Sequence, residues 1–186
     1  MSFNFKNKFK GTVSVIGTSQ IDSKTEKLAN ELGRLLAINN FAVACGGLSG
    51  VMEAVCKGAK QEGGFTIGII PYKDKSLANK YIDVVIPVPF SQARNIVVVL
   101  TGDAVVAIGG KAGTLSEICF AWIYEKPIVA LTGVVEGWSS KMAGKKIDDR
   151  RSDTIYGAKT AQEAVEKLNQ LFEKGPNTKY GMPNEF

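Results

Sequence analysis

Short apolar stretches alternate along the chain with longer segments in which apolar residues recur every three or four positions. The apolar stretches predict strands at residues 12–16, 41–44, 65–70, 81–88, 103–108 and 127–131, and a short edge strand at 154–156. The mixed segments predict helices that start near residues 23, 50, 91, 114 and 160. At the start of the first helix, Ser23 and Glu26 have the spacing of a capping box.

The predicted strands are apolar along their whole length rather than at every second residue. Strands of this kind are buried on both faces, as in a parallel sheet with helices on each side. The alternation of strand and helix therefore predicts an α/β fold. The length of 186 residues fits one domain, placed at residues 1–174. Residues 175–186 are rich in Pro, Asn and Gly, and we expect a flexible tail there.

Hydropathy and charge indicate where the protein is located and what kind of ligand it can bind. The apolar runs at 96–100 and 104–108 are far shorter than the roughly 20 residues of a membrane helix, and residues 1–10 lack the apolar block of a secretory signal. We therefore expect a cytoplasmic protein with no membrane contact. The net charge of +5 suits an anionic ligand. A basic run lies in the predicted polar loop 132–151, but no aromatic residues interleave with its charges, so nucleic-acid binding is not expected.

The chain contains no histidine and three cysteines. The lack of histidine excludes Ser-His-Asp and Cys-His hydrolases and zinc sites with histidine ligands. Proton transfer at an active site would then use Asp, Glu, Lys, Tyr, Cys or water. Cys45, Cys56 and Cys119 form no CxxC pair. We expect them to be small buried residues, and we assign no metal ligands.

Three predicted strands run directly into turns rich in Gly, Ser and Thr that open helices. We call residues 17–19, 46–50 and 109–114 the first, second and third turns. Their candidate ligand-binding residues are Gly17, Thr18, Ser19, Gly46, Gly47, Gly50, Gly109, Gly110, Lys111, Ala112, Gly113 and Thr114. Such turns gather at the carboxyl ends of parallel strands, and the first N–H groups of each helix carry partial positive charge. The turns therefore predict a phosphate site, with tight backbone packing as the alternative.

Two familiar nucleotide-binding motifs are absent. The third turn lacks the GxxxxGK[ST] pattern of a Walker A loop. The GxGxxG pattern of dinucleotide enzymes is also missing, and no acidic residue follows the second strand to hold a ribose. An NAD-dependent oxidoreductase is therefore not favoured.

Two charged residues lie near these turns in the sequence. Glu117 follows the third turn early in a helix, where the positive helix end favours a carboxylate. Arg94 begins the helix after Pro87 and Pro89, where a guanidinium can hold a phosphate or a sugar hydroxyl. The alternatives are an ordinary helix-end charge for Glu117 and a surface position for Arg94. Met52 follows the second turn, and its helical spacing favours the core.

The second and third turns resemble the signatures of a known family. Residues 46–52, Gly-Gly-Leu-Ser-Gly-Val-Met, resemble the GGxxGxM segment of the Lonely Guy family, long mislabelled lysine decarboxylase. Residues 109–117 resemble its PGGxGTxxE signature. The resemblance spans roughly residues 12–173 and implies a single Rossmann-like domain that forms homo-dimers or homo-tetramers. It also implies that Arg94 and Glu117 match the catalytic arginine and glutamate of phosphoribohydrolases, which release the base from cytokinin riboside 5′-monophosphates or AMP, and that Met52 belongs to the ligand site.

Three positions differ from the phosphoribohydrolases of that family. Ile108 stands in place of the signature proline, Ser116 in place of the first glutamate of a pair, and Asn95 in place of the lysine after the arginine. These features resemble a neighbouring branch that includes molybdenum-cofactor carrier proteins, which bind a phosphorylated pterin in the same cleft.

Two functions from different classes stay open. The first is a binding protein for a phosphorylated nucleotide or pterin, with no turnover and no required cofactor, and with the molybdenum cofactor as candidate cargo. The second is a hydrolase of the N-glycosidic bond of a nucleoside 5′-monophosphate. In the hydrolase, the turns hold the phosphate, Arg94 positions the sugar, and Glu117 orients water and stabilises the positive charge on the ribose. Arg94 and Glu117 favour the enzyme, whereas Ser116 and Asn95 favour the binding protein.

Overall fold

A computed structural model of the protein describes residues 8–133 and 136–173. The strands are β1 (Gly11–Gly17), β2 (Phe41–Cys45), β3 (Thr66–Ile70), β4 (Val84–Pro87), β5 (Ala104–Ile108), β6 (Ile128–Leu131) and β7 (Tyr156–Ala158). The helices are α1 (Ser23–Ile38), α2 (Val51–Gln61), α3 (Asn95–Thr101), α4 (Ala112–Ile123), α5 (Trp138–Met142) and α6 (Ala161–Glu173). Short 3₁₀ turns lie at Lys75–Leu77 and Ser91–Arg94.

The strands form one sheet in the order β4-β3-β2-β1-β5-β6-β7, and every neighbouring pair is parallel. The α/β fold with a parallel sheet between helices is therefore confirmed. The chain moves outward from β1 in one direction through β2, β3 and β4, and then returns to add β5 on the other side of β1. Ligands of such sheets bind outside the carboxyl ends of the strands at this reversal.

Helices cover both faces of the sheet. Residues of α1, α2 and α6 pack on one face, and residues of α3, α4 and α5 pack on the other. The central strands β2 and β5 are buried at every position. This explains why they lack the polar alternation of half-exposed strands. None of the helices in the two described ranges is long and apolar enough to cross a bilayer.

The structure corrects three local predictions. The cap of α1 is Asp22 rather than Ser23, because the Asp22 carboxylate accepts the Thr25 N–H at 2.8 Å. Strand β4 is shorter than the predicted strand 81–88, since a loop continues up to residue 83. The predicted polar loop 132–151 contains α5, a helix too short to show a hydrophobic period. The predicted tail, residues 175–186, lies outside the described residues.

Candidate ligand-binding site

The three turns leave the sheet next to one another at the reversal of strand order. Gly17, the last residue of β1, pairs with Ile108, the last residue of β5. The first turn also contacts the second: the Thr18 carbonyl accepts the Val51 N–H at 3.0 Å, and a Cβ on Gly50 would lie 2.5 Å from the Ser19 carbonyl oxygen. The structure thus brings the predicted turns together along one edge.

The second turn uses much of its backbone for contacts within the protein. The Gly46 carbonyl accepts a bond from Arg94 Nη1 at 2.6 Å. The Gly47 N–H points to Cys45 Sγ at 3.3 Å, and the Gly47 carbonyl accepts the Asn79 N–H at 2.9 Å. Met52 is buried beside Gly46, where its sulfur would lie 2.7 Å from an added Cβ. This turn therefore forms part of the scaffold around Arg94.

The glycines of the third turn are held by α5 on one side, and the other side of the turn is open. Ser139 of α5 accepts the Gly109 N–H on Oγ at 2.7 Å, and the Ser139 N–H donates to the Gly109 carbonyl at 3.0 Å. The Trp138 N–H donates to the Gly110 carbonyl at 3.1 Å. These contacts turn the carbonyls of both glycines towards α5. They leave the opposite side of the turn to a ligand.

The N–H groups at the start of α4 form the open side of the third turn. Lys111 precedes the helix without a side-chain cap. Among the described residues, no acceptor faces the N–H groups of Ala112, Gly113 or Thr114, whereas the Leu115 N–H already bonds to the Lys111 carbonyl. The Thr114 side chain packs against Gly110, which has a φ of +91° and no room for a Cβ. Three adjacent donors at a helix N-terminus match the needs of a phosphate group.

Arg94 is a buried cation that ties two strand ends together. Its Nη1 donates to the carbonyls of Gly46, after β2, and of Ile69, in β3. Burial lowers the pKa of the guanidinium, and the nearby Glu117 acts in the opposite direction. No contact within the described residues occupies Nη2 or Nε, so these donors can still meet a ligand. The predicted surface alternative for Arg94 is wrong, because the residue is 9% exposed.

Glu117 faces the same space from α4. Burial raises the pKa of its carboxyl group to about 8, and the opposing effect of Arg94 is smaller. Arg94 and Glu117 do not form an ion pair with each other, because the ion pairs within 4.0 Å among the described residues all join other side chains. At neutral pH the free protein therefore keeps a larger protonated fraction of Glu117 than of an ordinary glutamate. Sequence reasoning placed Glu117 at the site and treated it as charged.

A match to a protein family covers the whole of this site. The model of the SLOG cluster4 family matches residues 10–165. The chain belongs to the SLOG cluster4 family. This finding confirms the resemblance stated from the second and third turns.

This SLOG cluster4 protein is similar to proteins with and without a stated activity. An uncharacterised protein of Archaeoglobus fulgidus is 39% identical over 127 residues, which cover 67% of this chain and 83% of the relative. A cytokinin riboside 5′-monophosphate phosphoribohydrolase of Mycobacterium tuberculosis is 30% identical, with coverage of 75% and 77%. The solved molybdenum cofactor binding protein of Rippkaea orientalis is 29% identical, with a TM-score of 0.76 and coverage of 86% and 96%.

Asn95 and Ser116, two of the positions that differ from the phosphoribohydrolase pattern, contact each other in this SLOG cluster4 protein. The Asn95 side-chain amide donates to Ser116 Oγ at 2.8 Å, and Ser116 Oγ donates to the Gly113 carbonyl at 2.7 Å. A neutral hydrogen-bonded pair therefore joins the start of α3 to the start of α4. It fixes the helices that carry Arg94 and Glu117, and it adds no charge to the site.

Sequence reasoning missed the contribution of α5. Ser139 is fully buried, and its hydroxyl also donates to the Leu131 carbonyl at 2.9 Å. Gly137 is the sequence feature that could have indicated this contact. The position requires a glycine, because a Cβ there would lie 2.5 Å from the Gly109 carbonyl carbon. Among the described residues, no group of three or more Cys, Asp or Glu side chains could hold a metal ion.

Proposed function

We propose that this protein binds a phosphorylated, nucleotide-like or pterin-like ligand, as a molybdenum-cofactor-carrier-like protein does. The observation that carries the proposal is the third turn, with its row of N–H donors at the start of α4. The similarity to the Rippkaea orientalis protein, whose name states that it binds the molybdenum cofactor, supports a ligand of this kind. In this reading the cofactor is cargo, and the protein itself requires none.

The phosphate lies against the third turn in this proposal. It accepts hydrogen bonds from the N–H groups of Ala112, Gly113 and Thr114, and the Thr114 hydroxyl can add a fourth. The exposed Lys111 adds a positive charge at the rim. A hydrogen bond to a charged group contributes about 1.5–3 kcal/mol, so three of them account for a specific anion site.

The raised pKa of Glu117 agrees with a binding function. A neutral carboxyl does not repel a phosphate, and it can donate a hydrogen bond to an oxygen of the ligand. A bound dianion would raise the pKa of Glu117 further, because negative charge nearby disfavours a second negative charge. Arg94 supplies free guanidinium donors for a hydroxyl of the ligand, beside the phosphate on the third turn.

The alternative proposal is a phosphoribohydrolase, and the shared location of Arg94 and Glu117 favours it. The Mycobacterium tuberculosis relative carries that activity in its name. In this reaction water adds to the anomeric carbon, the C–N bond breaks, and the base leaves with a proton. Ionised Glu117 would orient the water and stabilise the oxocarbenium-like charge, so the rate would rise with pH towards about 8.

Incubation of the full chain with AMP separates the two functions. The carrier proposal predicts saturable AMP binding and no release of adenine or ribose 5-phosphate over hours. Release of adenine that is abolished in Glu117→Gln would instead establish the hydrolase. In the carrier, Arg94→Ala weakens binding, whereas Glu117→Gln leaves it nearly unchanged. Failure of AMP, GMP and inorganic phosphate to bind would reject both.

A homo-oligomer is the second part of this proposal. The sheet can cover only part of the apolar residues on α3 and α4, and we expect the remainder to form an interface. Val98, Ile118 and Trp122 are buried within the chain. Val97 and Phe120 are half-buried, while Ile123 is 37% exposed. Leu100, on α3, is 45% exposed and Phe90 is 70% exposed. We propose that this surface pairs two copies near the site. Light scattering should show a dimer or tetramer at micromolar concentration, and a monomer would contradict it.

A further inference from the structure

A cavity of about 510 Å³ opens beside the first and second turns, away from Arg94 and Glu117. Ser19 and Gly50 form its near edge, and its walls include Glu26 of α1, Glu53 and Lys57 of α2, and Tyr81. Its size is that of a small-molecule site. The function proposed above does not use this space.

Glu53 is the residue of this cavity whose charge has no partner. Glu26 and Lys57 approach each other at 4.0 Å, so their charges offset. Glu53 is half-buried in the first turn of α2, and it makes neither a hydrogen bond nor an ion pair with any described residue. Both of its carboxylate oxygens are therefore free to accept hydrogen bonds in the cavity.

A free carboxylate has a definite chemical preference. Its two oxygens accept two adjacent N–H groups at once, and such charge-assisted pairs are among the stronger hydrogen bonds. A 2-amino-4-oxopyrimidine ring, present in guanine and in pterins, has a ring N–H beside an amino group. Adenine instead has an amino group beside a ring nitrogen that accepts. One contact between adenine and a carboxylate would therefore be repulsive.

The first turn lies between the cavity and the third turn. The third turn follows β5 and the first turn follows β1, and these neighbouring strands lie about 4.8 Å apart. Ser19, at the end of the first turn, borders the cavity. A ligand can thus place its phosphate on the third turn, cross the first turn, and lay its ring in the cavity.

We infer that the Glu53 carboxylate hydrogen-bonds to the ring of the ligand and selects a 2-amino-4-oxopyrimidine over adenine. This inference rests on the proposed phosphate site, since the phosphate sets the position of the ring. The same edge occurs in guanine nucleotides and in phosphorylated pterins. Both sources belong in the experiment.

Isothermal titration calorimetry of the full chain with GMP, neopterin monophosphate, AMP and inorganic phosphate tests the inference. At least one of the first two should bind about 10-fold more tightly than AMP, the scale of one bidentate contact. Whichever of GMP and neopterin monophosphate binds more tightly shows whether the ring belongs to a guanine nucleotide or to a pterin. Glu53→Gln should lose this preference and gain affinity for AMP, because an amide pairs its carbonyl and its N–H with the adenine edge.

The matched control is Glu31→Gln, which makes the same change on an exposed position of α1 outside the cavity and should keep the preference. Equal affinity for AMP and for both other ligands would overturn the role of Glu53 while the phosphate site stands. A preference that persists in Glu53→Gln would overturn it as well. Failure of all four probes to bind would reject the phosphate site and, with it, this inference.

Discussion

The second and third turns have similar glycine-rich sequences, but their glycines make different backbone contacts. In the second turn, the Gly46 carbonyl holds Arg94, and both polar backbone groups of Gly47 have partners within the protein. In the third turn, Ser139 and Trp138 hold the glycines from behind, and the N–H groups that follow stay open. Glycine thus allows close packing around Arg94 in one turn and a tight turn ahead of open N–H groups in the other.

This difference shows that a glycine-rich turn is not by itself a ligand site. What distinguishes the two turns is which residues hold their glycines, and these residues lie far away in the sequence. Asn79 and Arg94 donate hydrogen bonds to carbonyls of the second turn, whereas residues of α5 hydrogen-bond to the glycines of the third turn. The account therefore predicts that substitutions in the two turns affect binding by different routes and to different extents.

The largest effect is expected from Gly110→Ala in the third turn. A Cβ would lie 2.2 Å from Thr114 Oγ1, and the φ of +91° disfavours alanine. Displacement of the turn should weaken phosphate binding by about 100-fold, the scale of two charge-assisted hydrogen bonds. Calorimetry measures the change. Gly63→Ala is the matched control, with a φ of +67° and no atom within 4 Å of the added Cβ. Similar affinity in both variants would contradict the assigned role of the third turn.

A smaller effect is expected when the brace behind the third turn is removed. Ser139→Ala deletes the hydroxyl that accepts the Gly109 N–H and donates to the Leu131 carbonyl. Phosphate affinity should fall about 10-fold, with a loss of about 1–3 kcal/mol in the free energy of unfolding. Ser140→Ala, whose hydroxyl bonds to the Gly137 carbonyl, is the neighbouring control and should retain affinity. Unchanged affinity in a folded Ser139→Ala protein would show that α5 does not set the turn.

A weaker and more selective effect is expected from the second turn. In Gly46→Ala the Cβ would press on Arg94 Nη1 and Met52 Sδ, both at 2.7 Å, and these side-chain ends can move. AMP affinity should fall about threefold, as one ordinary hydrogen bond is weakened, while inorganic phosphate binding stays the same. An equal loss for both ligands would mean that the second turn contacts the phosphate directly.

The smallest effect on binding is expected at Glu117, where the measurable change is in how stability depends on pH. The pKa of Glu117 is about 8 in the folded protein, above its ordinary value of 4.5. Between these values the folded state holds a proton that the unfolded state releases, so this residue makes stability fall as pH rises from about 4.5 to 8. The Tm of Glu117→Gln relative to wild type should therefore increase over that range. Parallel curves for the two proteins would contradict the raised pKa.

Much of the fold could be predicted from the sequence because the strands are apolar along their whole length. The runs at Ala104–Ile108 and Phe41–Cys45 are buried on both faces, and burial of this kind leaves a clear pattern. The turns could be located for a similar reason, since a glycine cluster between strand and helix is a local signal. The short helix α5 has no such signal, and Ser139 looks like any polar loop residue in the sequence.

The chemistry of the site was harder to predict, because it depends on contacts between distant residues. Arg94 and Gly46 are 48 positions apart, and nothing in the sequence indicates that the guanidinium bonds to that carbonyl. The raised pKa of Glu117 likewise follows from its burial in the folded chain, whereas an N-terminal helix position alone favours a charged carboxylate. Sequence could identify both residues as candidates, and the structure was needed to assign their states.

The most direct test of the central claim is an NMR titration of the ¹⁵N-labelled full chain with inorganic phosphate. If the third turn is the phosphate site, the amide resonances of Ala112, Gly113 and Thr114 should move together and saturate. That of Gly47, whose N–H already contacts Cys45 Sγ, should move much less. Saturable shifts centred on the second turn or on the basic residues near Lys145, with the third turn unchanged, would contradict the account.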